Sequence, residues 1–234
     1  MLILAVDTTS RTGSLALWRD TRVTDTLVGD ASHTHGERLP GEISNLLSQA
    51  RVSVKDVELY AVVTGPGSFT GLRVGIAAVQ GLALAQERRV VPIPALEAFA
   101  LSGPIDDGRV AVWRDAQRKQ VFACLFERSG ERLREVLPPV SMSPTDVARE
   151  WVSSGLGPNV FIGDGVDAYS DIIRAAWPDA RLVMPAPPLA PIAAAMAARH
   201  PEDAVAPHAI VPIYVRATDA ELAREKNKGQ KNKT

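Results

Sequence analysis

The sequence predicts an α/β protein of two similar lobes, because strand-like and helix-like apolar patterns alternate and one strand pattern occurs twice. Residues 2–7, LILAVD, form a continuous apolar run that ends in an acidic residue, as a buried strand does. Asp7 precedes Trp18 by the same distance along the chain as Asp115 precedes Phe126. In both halves the aspartate ends an apolar strand, and a polar turn and a second strand follow. We interpret this as an internal duplication of a three-stranded unit, which places two lobes on either side of a cleft.

The first half continues in the order expected of such a lobe. GSLALWRD and RVTDTLV are predicted to be the second and third strands, each bounded by turn residues. A helix is predicted over residues 37–50, because apolar residues recur there at helical spacing. That face comprises Leu39, Ile43, Leu46, Leu47 and Ala50. The next predicted elements are, in order, a strand LYAVVT, the loop GPGSFTG, a helix from Leu72 to Gln86, a strand VVPIP and a short helix near Leu96. The segment SGPIDDG (102–108) then has the composition of a connection between lobes.

The second half begins with three more strand patterns, RVAVWRD, QVFACLFE and ERLREVL. Helices are predicted near residues 144–154, 168–177 and 189–199, and AIVPIYVR (209–216) is predicted to be a last strand or an extended segment. The predicted organisation is an N-terminal lobe at 1–103, a C-terminal lobe at 104–223 and a disordered basic tail at 224–234.

Composition and charge exclude several classes of protein. The chain has 234 residues, 46% hydrophobic and 23% charged, which is typical of a globular protein. The longest mostly apolar stretch, Val74–Ala85, is shorter than the roughly 20 residues of a membrane span. The N-terminus lacks the basic region of a signal peptide, and the lone Cys124 fits a reducing compartment. We therefore expect a cytoplasmic protein without a membrane segment.

The positive charge is concentrated at the C-terminus. The formal net charge of the chain is -1 at pH 7. The last eleven residues, REKNKGQKNKT, contain five basic residues against one acidic residue. Such a tail either attracts RNA or an acidic partner or is simply a solvated chain end.

The most distinctive motif is GPGSFTGLRVG (65–75), between a predicted strand and a predicted helix. Its third glycine comes one residue too late for a dinucleotide-binding fingerprint, and Leu72-Arg73 replaces the Lys-Ser/Thr of a Walker A loop. Two interpretations stay open: an anion site at a helix N-terminus, or a turn whose glycines allow close packing. Small residues line one side of the helix, and larger ones another side that is predicted to face its own sheet. The small stripe is Gly71, Gly75, Ala78, Gly81 and Ala85, predicted to contact another helix of this chain or a partner; the larger ridge is Leu72, Ile76 and Val79.

The polar candidates for chemistry are few. His33, His35 and Glu37 could bind a metal, but their spacing in a polar turn equally fits a solvated turn. Ser68 lacks the G-x-S-x-G context of a nucleophile elbow because residue 66 is proline. Asp7 could hold magnesium or orient a phosphate, or its side chain could form an Asx-turn that ends the strand. None of these patterns requires catalysis.

Six segments together resemble a known family. The segments, in chain order, are ILAVDTTS, HGERLP, GPGSFTGLRVG, QGLALA, RDAQRKQVF and PIYVR. Their order and spacing resemble those of the TsaB (YeaZ) family. Members of this family are the smaller glycoprotease-like subunit of the bacterial machinery that makes threonylcarbamoyladenosine in tRNA. The resemblance covers residues 1 to about 216 and implies a two-lobed actin/Hsp70/sugar-kinase-like (ASKHA) fold with duplicated ribonuclease H-like lobes. It also implies that the chain acts with the catalytic paralogue TsaD and the small ATPase TsaE. Together they transfer a threonylcarbamoyl group to the adenosine at nucleotide 37 of tRNAs that read codons beginning with A.

The resemblance also implies a chain without a catalytic residue or metal site of its own. TsaD carries a metal-binding H-x-E-G-H-like element where this chain has VVPIPALEAFA. At the two positions where TsaD has histidine, this chain has Ala95 and Phe99, and only the glutamate of the element, Glu97, is present. No pair of metal ligands therefore remains. We therefore expect a non-catalytic partner subunit that binds no cofactor alone, with ATP or ADP and a metal in the partner subunits. The alternative is an ASKHA-type ATPase or small-molecule kinase, or a metallopeptidase-like enzyme.

Two sets of site residues follow from the resemblance. In this family the first two helices form the contact with TsaD or with a second TsaB, so a homodimer is a further expectation, and tRNA is the substrate of the complex. The expected contact residues are Leu39, Ile43, Leu46, Leu47, Arg73, Ile76, Ala77 and Gln80. The residues expected near a nucleotide, if one binds, are Asp7, Thr8, Gly67 and Ser68.

Overall fold

The computed structural model describes residues 1–216; the predicted basic tail, 224–234, lies outside the described residues. The strands are β1 (Leu2–Asp7), β2 (Ser14–Arg19), β3 (Arg22–Val28), β4 (Leu59–Gly65), β5 (Val90–Pro94), β6 (Asp107–Asp115), β7 (Val121–Ser129), β8 (Arg132–Met142), β9 (Val160–Ile162) and β10 (Arg181–Leu182). The α-helices are α1 (His35–Gln49), α2 (Phe69–Ala85), α3 (Ala95–Ser102), α4 (Pro144–Ser153), α5 (Asp164–Ala168), α6 (Ser170–Ala176) and α7 (Leu189–Arg199). None of the helices within residues 1–216 combines the length and the apolar character that crossing a bilayer would need.

The two halves of the chain form two five-stranded sheets with the same topology. The strand order is β3-β2-β1-β4-β5 in the first sheet and β8-β7-β6-β9-β10 in the second. In each sheet the first three strands are antiparallel, and the last two lie parallel to the first strand. The duplication predicted from the Asp7 and Asp115 patterns is confirmed, and β6 is the counterpart of β1.

The helices form layers around these sheets. Alternate residues of β1 face opposite sides: Leu4 and Val6 pack towards α1 and α2, whereas Ile3 and Ala5 face the interior between the sheets. Helices α3 and α7 lie in that interior, and α4 and α6 cover the far side of the second sheet. Helix α7 comes from the second half of the chain, yet it packs on β1 and β2 of the first sheet.

Some elements differ from their prediction. The helix predicted over 168–177 is confirmed as α6, and a further short helix, α5, precedes it; Tyr169, whose φ of -126° is not helical, separates the two. The strands β9 and β10 have three residues and two residues, too few for a periodic signal. The segment 209–216 joins neither sheet: Ala209 ends a short 3₁₀ turn, residues 210–214 have no regular secondary structure, and the chain bends at Val215 and Arg216. It is held to the first sheet where the Ile213 N–H donates to the Thr64 carbonyl at 2.7 Å.

The single cysteine gives a first testable prediction. Cys124 on β7 is fully buried, and burial raises the pKa of its thiol, with a smaller contribution from the carboxylates of Glu135 and Glu97. Because the thiolate is the reactive form, we expect the folded protein to react with Ellman's reagent at pH 8 at least tenfold more slowly than the urea-unfolded chain. Rapid labelling of the native protein would contradict the buried position of this side chain.

Candidate functional site

The turn after β1 and the loop before α2 meet where the two lobes join. The carboxylate of Asp7 is buried and accepts hydrogen bonds from the Thr9 N–H at 2.9 Å and the Thr9 hydroxyl at 2.5 Å. This is the Asx-turn that was one of the two interpretations of Asp7. The Thr8 hydroxyl donates to the Gly71 carbonyl at 2.8 Å, and the Ser68 N–H donates to the Thr9 carbonyl at 2.8 Å. The four residues expected near a nucleotide therefore lie together at this junction.

The glycines of GPGSFTGLRVG allow this close contact. A Cβ atom at Gly67 would lie 2.6 Å from the Thr9 carbonyl oxygen, and one at Gly71 would lie 2.1 Å from the Thr8 carbonyl oxygen. At Gly75 it would lie 2.1 Å from the Thr8 hydroxyl. The close-packing interpretation of the loop thus fits its geometry. It also corrects the predicted small stripe on α2, since Gly71 and Gly75 pack on the β1–β2 turn rather than on another helix.

This packing gives a second prediction, for which α2 provides its own control. We expect Gly75→Ala to lower the free energy of unfolding by about 1–3 kcal/mol, because the added methyl group enters occupied space. Gly81 lies on the same helix, and a Cβ atom added there would meet nothing within 4 Å, so Gly81→Ala is expected to raise stability by up to about 1 kcal/mol. Urea unfolding of both variants measures the difference, and equal stability of the two would contradict the contact with Thr8.

An arginine from the second lobe completes the junction. Arg114, near the end of β6, is only 2% exposed. Its Nη1 donates to the Thr9 hydroxyl at 2.9 Å and to the Pro66 carbonyl at 2.7 Å, and its Nη2 lies 3.3 Å from Oδ2 of Asp164. The guanidinium also lies 5.1 Å from the ring centre of Phe99. One side chain of the second lobe therefore holds both the Asp7 turn and the GPGSF loop of the first.

Arg114 was not among the site residues predicted from the sequence. The internal duplication contained a signal for it, because Asp115 corresponds to Asp7 and Arg114 therefore corresponds to Val6. A charged residue where the other repeat has an apolar strand residue needs a partner in the interior. The structure identifies that partner as the opposite lobe.

Contacts between the β1–β2 turn, the GPGSF loop and Arg114 occupy much of this junction. The space between Thr8 and Ser68 is filled by the contacts of this turn and loop, and Arg114 occupies the adjoining position. The remaining cleft has a volume of about 280 Å³, slightly below the range of about 300–1,000 Å³ typical of small-molecule sites. The carboxylates of Asp7 and Asp164 and the guanidinium of Arg114 line it, and Arg114 is already paired with Asp164 at 3.3 Å.

The histidine turn and the degenerate metal element have structural roles. Glu37 caps α1 by accepting from the Thr34 N–H at 2.8 Å. The Nε2 of His35 donates to the Ser10 carbonyl at 2.8 Å, which ties α1 to the β1–β2 turn. Ala95 and Phe99 are buried in the core. Among residues 1–216 there is no group of three or more side chains placed to ligate a metal.

Most of the expected contact residues on α1 and α2 are core residues, which corrects that part of the prediction. Leu39, Ile43, Leu46, Leu47 and Ile76 are at most 6% exposed and pack beneath the two helices. An apolar helical face identifies a buried surface without saying what buries it, and here the first sheet does. Of the remaining three, Arg73 and Ala77 are exposed, and Gln80 is half-buried and donates to the Pro207 carbonyl at 2.9 Å.

The outer face of these helices nevertheless has the shape of a contact surface. On α2 the exposed residues follow helical spacing at Arg73, Ala77, Gly81 and Leu84, and Leu84 is 71% exposed. On α1 the exposed residues are Gly36, Pro40, Gly41, Ser44 and Ser48, together with the longer Glu37, Asn45 and Gln49. A second helix can approach closely along the row of small residues Gly41, Ser44 and Ser48, which follow one another at helical spacing. We call this surface the α1–α2 face.

Comparisons with known proteins agree on one family. Residues 29–223 match the family model described as TsaD, tRNA N6-adenosine threonylcarbamoyltransferase. The Escherichia coli K12 tRNA threonylcarbamoyladenosine biosynthesis protein TsaB is 31% identical over 228 residues, covering 92% of this chain and 95% of that protein. A Pseudomonas aeruginosa structure described as similar to the peptidase YeaZ has a TM-score of 0.74 at 26% identity, covering 92% of this chain and 99% of that one. At 12% identity, the ADPNP-bound activator of the 2-hydroxyisocaproyl-CoA dehydratase from Clostridium difficile has a TM-score of 0.53, which shows a shared fold alone.

Proposed function

The chain belongs to the TsaB (YeaZ) family of tRNA threonylcarbamoyladenosine biosynthesis proteins, and from this premise we propose that it is a non-catalytic subunit of the machinery that modifies tRNA. In this role it binds the catalytic paralogue TsaD and activates threonylcarbamoyl transfer to adenosine 37, with TsaE as the ATPase of the system. The reaction takes place in the cytoplasm, and the nucleotide and the metal belong to the partner subunits.

The observation that carries this proposal is the closed junction between the lobes. Enzymes of the actin and sugar-kinase type need an open cleft for their nucleotide, whereas here Thr8, Thr9 and Arg114 fill the position beside the GPGSF loop. The two histidine positions of the metal element are Ala95 and Phe99, both of which lack a donor atom. A chain that keeps the fold but fills the site is suited to supporting a partner rather than to chemistry of its own.

The α1–α2 face is the proposed contact with TsaD. It is exposed and contains a row of small side chains. It lies on the first lobe, on the side of the first sheet that faces away from the interior between the two sheets. A paralogue with the same fold presents the corresponding pair of helices, so the two pairs can pack as a four-helix contact. The same geometry allows a second copy of this chain to occupy the face when TsaD is absent.

Addition of the purified chain to a cell extract depleted of TsaB tests the proposal. The extract contains TsaD, TsaE and threonylcarbamoyl-AMP, and threonylcarbamoyladenosine in the tRNA is measured by mass spectrometry. We expect the chain to restore modification and Asp7→Asn to restore it too, because Asp7 has a structural role here. Failure to restore modification would contradict the proposed function, and ATP hydrolysis by the isolated chain that Asp7→Asn abolishes would favour the kinase-like alternative.

A further inference from the structure

A largely buried ion pair joins the first turns of α1 to the β1–β2 turn. Arg38 and Glu42 lie one helical turn apart, their side chains are 9% and 15% exposed, and Nη1 of Arg38 lies 2.6 Å from Oε1 of Glu42. Nη2 of Arg38 donates to the Arg11 carbonyl at 3.1 Å and to the Thr12 carbonyl. The guanidinium therefore connects α1 to a turn from a distant part of the chain.

The imidazole of His35 completes this connection. Its Nε2 donates to the Ser10 carbonyl at 2.8 Å. Because a carbonyl oxygen only accepts, the proton is assigned to Nε2, and Nδ1 keeps its lone pair. Nδ1 faces Nη2 of Arg38 at 2.9 Å. Two side chains of α1 thus bind three consecutive carbonyls of the β1–β2 turn, and we call His35 and Arg38 the α1 clamp.

Two glycines leave the space that the clamp occupies. A Cβ atom at Gly29, directly after β3, would lie 1.6 Å from Nη1 of Arg38. One at Gly13, in the β1–β2 turn, would lie 2.7 Å from Cε1 of His35. A larger residue at either position would displace a clamp side chain. The clamp therefore depends on three segments of the first lobe: α1, the β1–β2 turn and the end of β3.

The helix that the clamp holds begins with poor helix formers. Residues 35–41, HGERLPG, include Gly36, Pro40 and Gly41, and glycine and proline have the lowest helix propensities. Pro40 also lacks the N–H that would bond to the preceding turn of the helix. Pro40 and Gly41 are exposed on the α1–α2 face, where they leave room for a partner helix. The residues that let a partner approach therefore weaken α1 itself, and an anchor outside the helix compensates for them.

We propose that His35 and Arg38 are positioning residues for the binding of TsaD. The clamp keeps the first two turns of α1 helical and in place, so that Gly41 and Ser44 face the partner. Without it these turns fray, and the affinity for TsaD falls with the fraction of molecules that keep the binding-competent helix. The proposal rests on the proposed function, because TsaD is the partner. It adds two residues that act through α1 rather than through contacts of their own.

Titration of TsaD with the full-length chain tests the clamp. We expect Arg38→Met and His35→Ala each to weaken TsaD binding about tenfold, as when about a tenth of the molecules keep the competent helix. His35→Gln should stay within about twofold of the unsubstituted chain, because an amide also donates to Ser10 and accepts from Arg38. Arg134→Met is the control, since Arg134 is 70% exposed on β8, where it pairs with Glu127.

Two further readouts separate positioning from a general loss of structure. If global unfolding caused the tenfold loss, about nine in ten molecules would be unfolded in the assay, and the fluorescence of the buried Trp113 would show it. We instead expect native fluorescence, with faster amide hydrogen exchange confined to residues 35–41. In the modification assay the variants should raise the chain concentration at half-maximal rate and leave the plateau unchanged, because the TsaD-bound chain has the helix formed.

Gly29→Ala disturbs the clamp from outside α1. Its methyl group would enter the position of Nη1 of Arg38, so we expect the same loss of about tenfold in TsaD affinity. The double variant Arg38→Met/Gly29→Ala should bind no more weakly than either single variant, because both remove the same interaction. Independent losses, which would reach about 100-fold in the double variant, would contradict a shared role in the clamp.

The outcomes also separate this inference from the proposed function. Normal TsaD binding by Arg38→Met and Gly29→Ala would overturn the clamp, even where the chain restores tRNA modification in the depleted extract. Absence of TsaD binding by the unsubstituted chain would overturn the proposed function and the clamp with it. Loss of native fluorescence in every variant that binds weakly would also overturn the clamp, because the two residues would then only hold the fold together. Weaker binding by folded variants, with normal binding by His35→Gln, would support it.

Discussion

Arg114→Met is expected to lower the free energy of unfolding by about 3 kcal/mol and to loosen the junction between the lobes. The substitution keeps most of the side-chain volume but removes two buried hydrogen bonds from a charged donor, each worth roughly 1.5–3 kcal/mol, and the ion pair with Asp164. It also leaves the Thr9 hydroxyl and the Pro66 carbonyl without that donor in a buried position. Urea unfolding followed by tryptophan fluorescence measures the effect, because Trp113 lies next to Arg114 in a buried cluster with Trp151 and Trp177.

A matched surface arginine serves as the control. Arg149 on α4 forms an ion pair with Asp146 at 2.8 Å, but its side chain is 70% exposed. Exposed pairs of this kind contribute about 0–1 kcal/mol, so Arg149→Met is expected to be nearly neutral. Equal stability losses in the two variants would show that Arg114 does not hold the lobes together. A neutral Arg114→Met would show the same.

The second large effect is expected from Ala77→Glu on the α1–α2 face. Ala77 is exposed in the isolated chain, and glutamate is a good helix former, so the free energy of unfolding should change by less than about 0.5 kcal/mol. In a close helix–helix contact the same carboxylate would be buried without a partner. We expect binding to TsaD to weaken about 100-fold, equivalent to about 2.7 kcal/mol, and tRNA modification to fall with it.

The control for this variant is Ala175→Glu, at an exposed alanine of α6 on the second lobe. It adds the same charge to a helix that lies outside the proposed contact, so binding to TsaD should be unchanged. Ile76→Glu would be a poor test, because Ile76 is buried beneath α2 and the substitution would damage the fold itself. Normal TsaD binding by a folded Ala77→Glu protein would contradict the proposed contact surface.

The features that the sequence predicted well are those with a local pattern. The strand β1 and its counterpart β6 each contain an apolar run shortly before an aspartate, and the repetition of that pattern predicted a duplicated three-stranded unit in two similar lobes. The structure confirms the duplication as two sheets with the same strand order. The burial of Leu72, Ile76 and Val79 beneath α2 followed from helical spacing, and the structure confirms it. In these cases a few neighbouring residues contain the whole signal.

The features that the sequence did not predict depend on contacts between distant segments. Leu39 and Ile43 have the same pattern whether a sheet or a partner covers them, and only the folded chain shows that the first sheet does. The small stripe on α2 likewise predicted a close neighbour. It did not predict that this neighbour would be Thr8, far earlier in the chain, which fills the space at Gly71 and Gly75. Arg114 reaches Thr9 and Pro66 across the lobe boundary, which periodicity along one strand does not reveal.

The most direct test of the central claim is a titration in a fully purified system. TsaD, TsaE, threonylcarbamoyl-AMP, ATP and unmodified tRNA are held constant while the concentration of this chain is varied. We expect almost no product without the chain, and a rate that rises to a plateau when the chain and TsaD are equimolar, as for a stoichiometric subunit. Product formation at the same rate without the chain, or by the chain in the absence of TsaD, would contradict its role as a non-catalytic activating subunit.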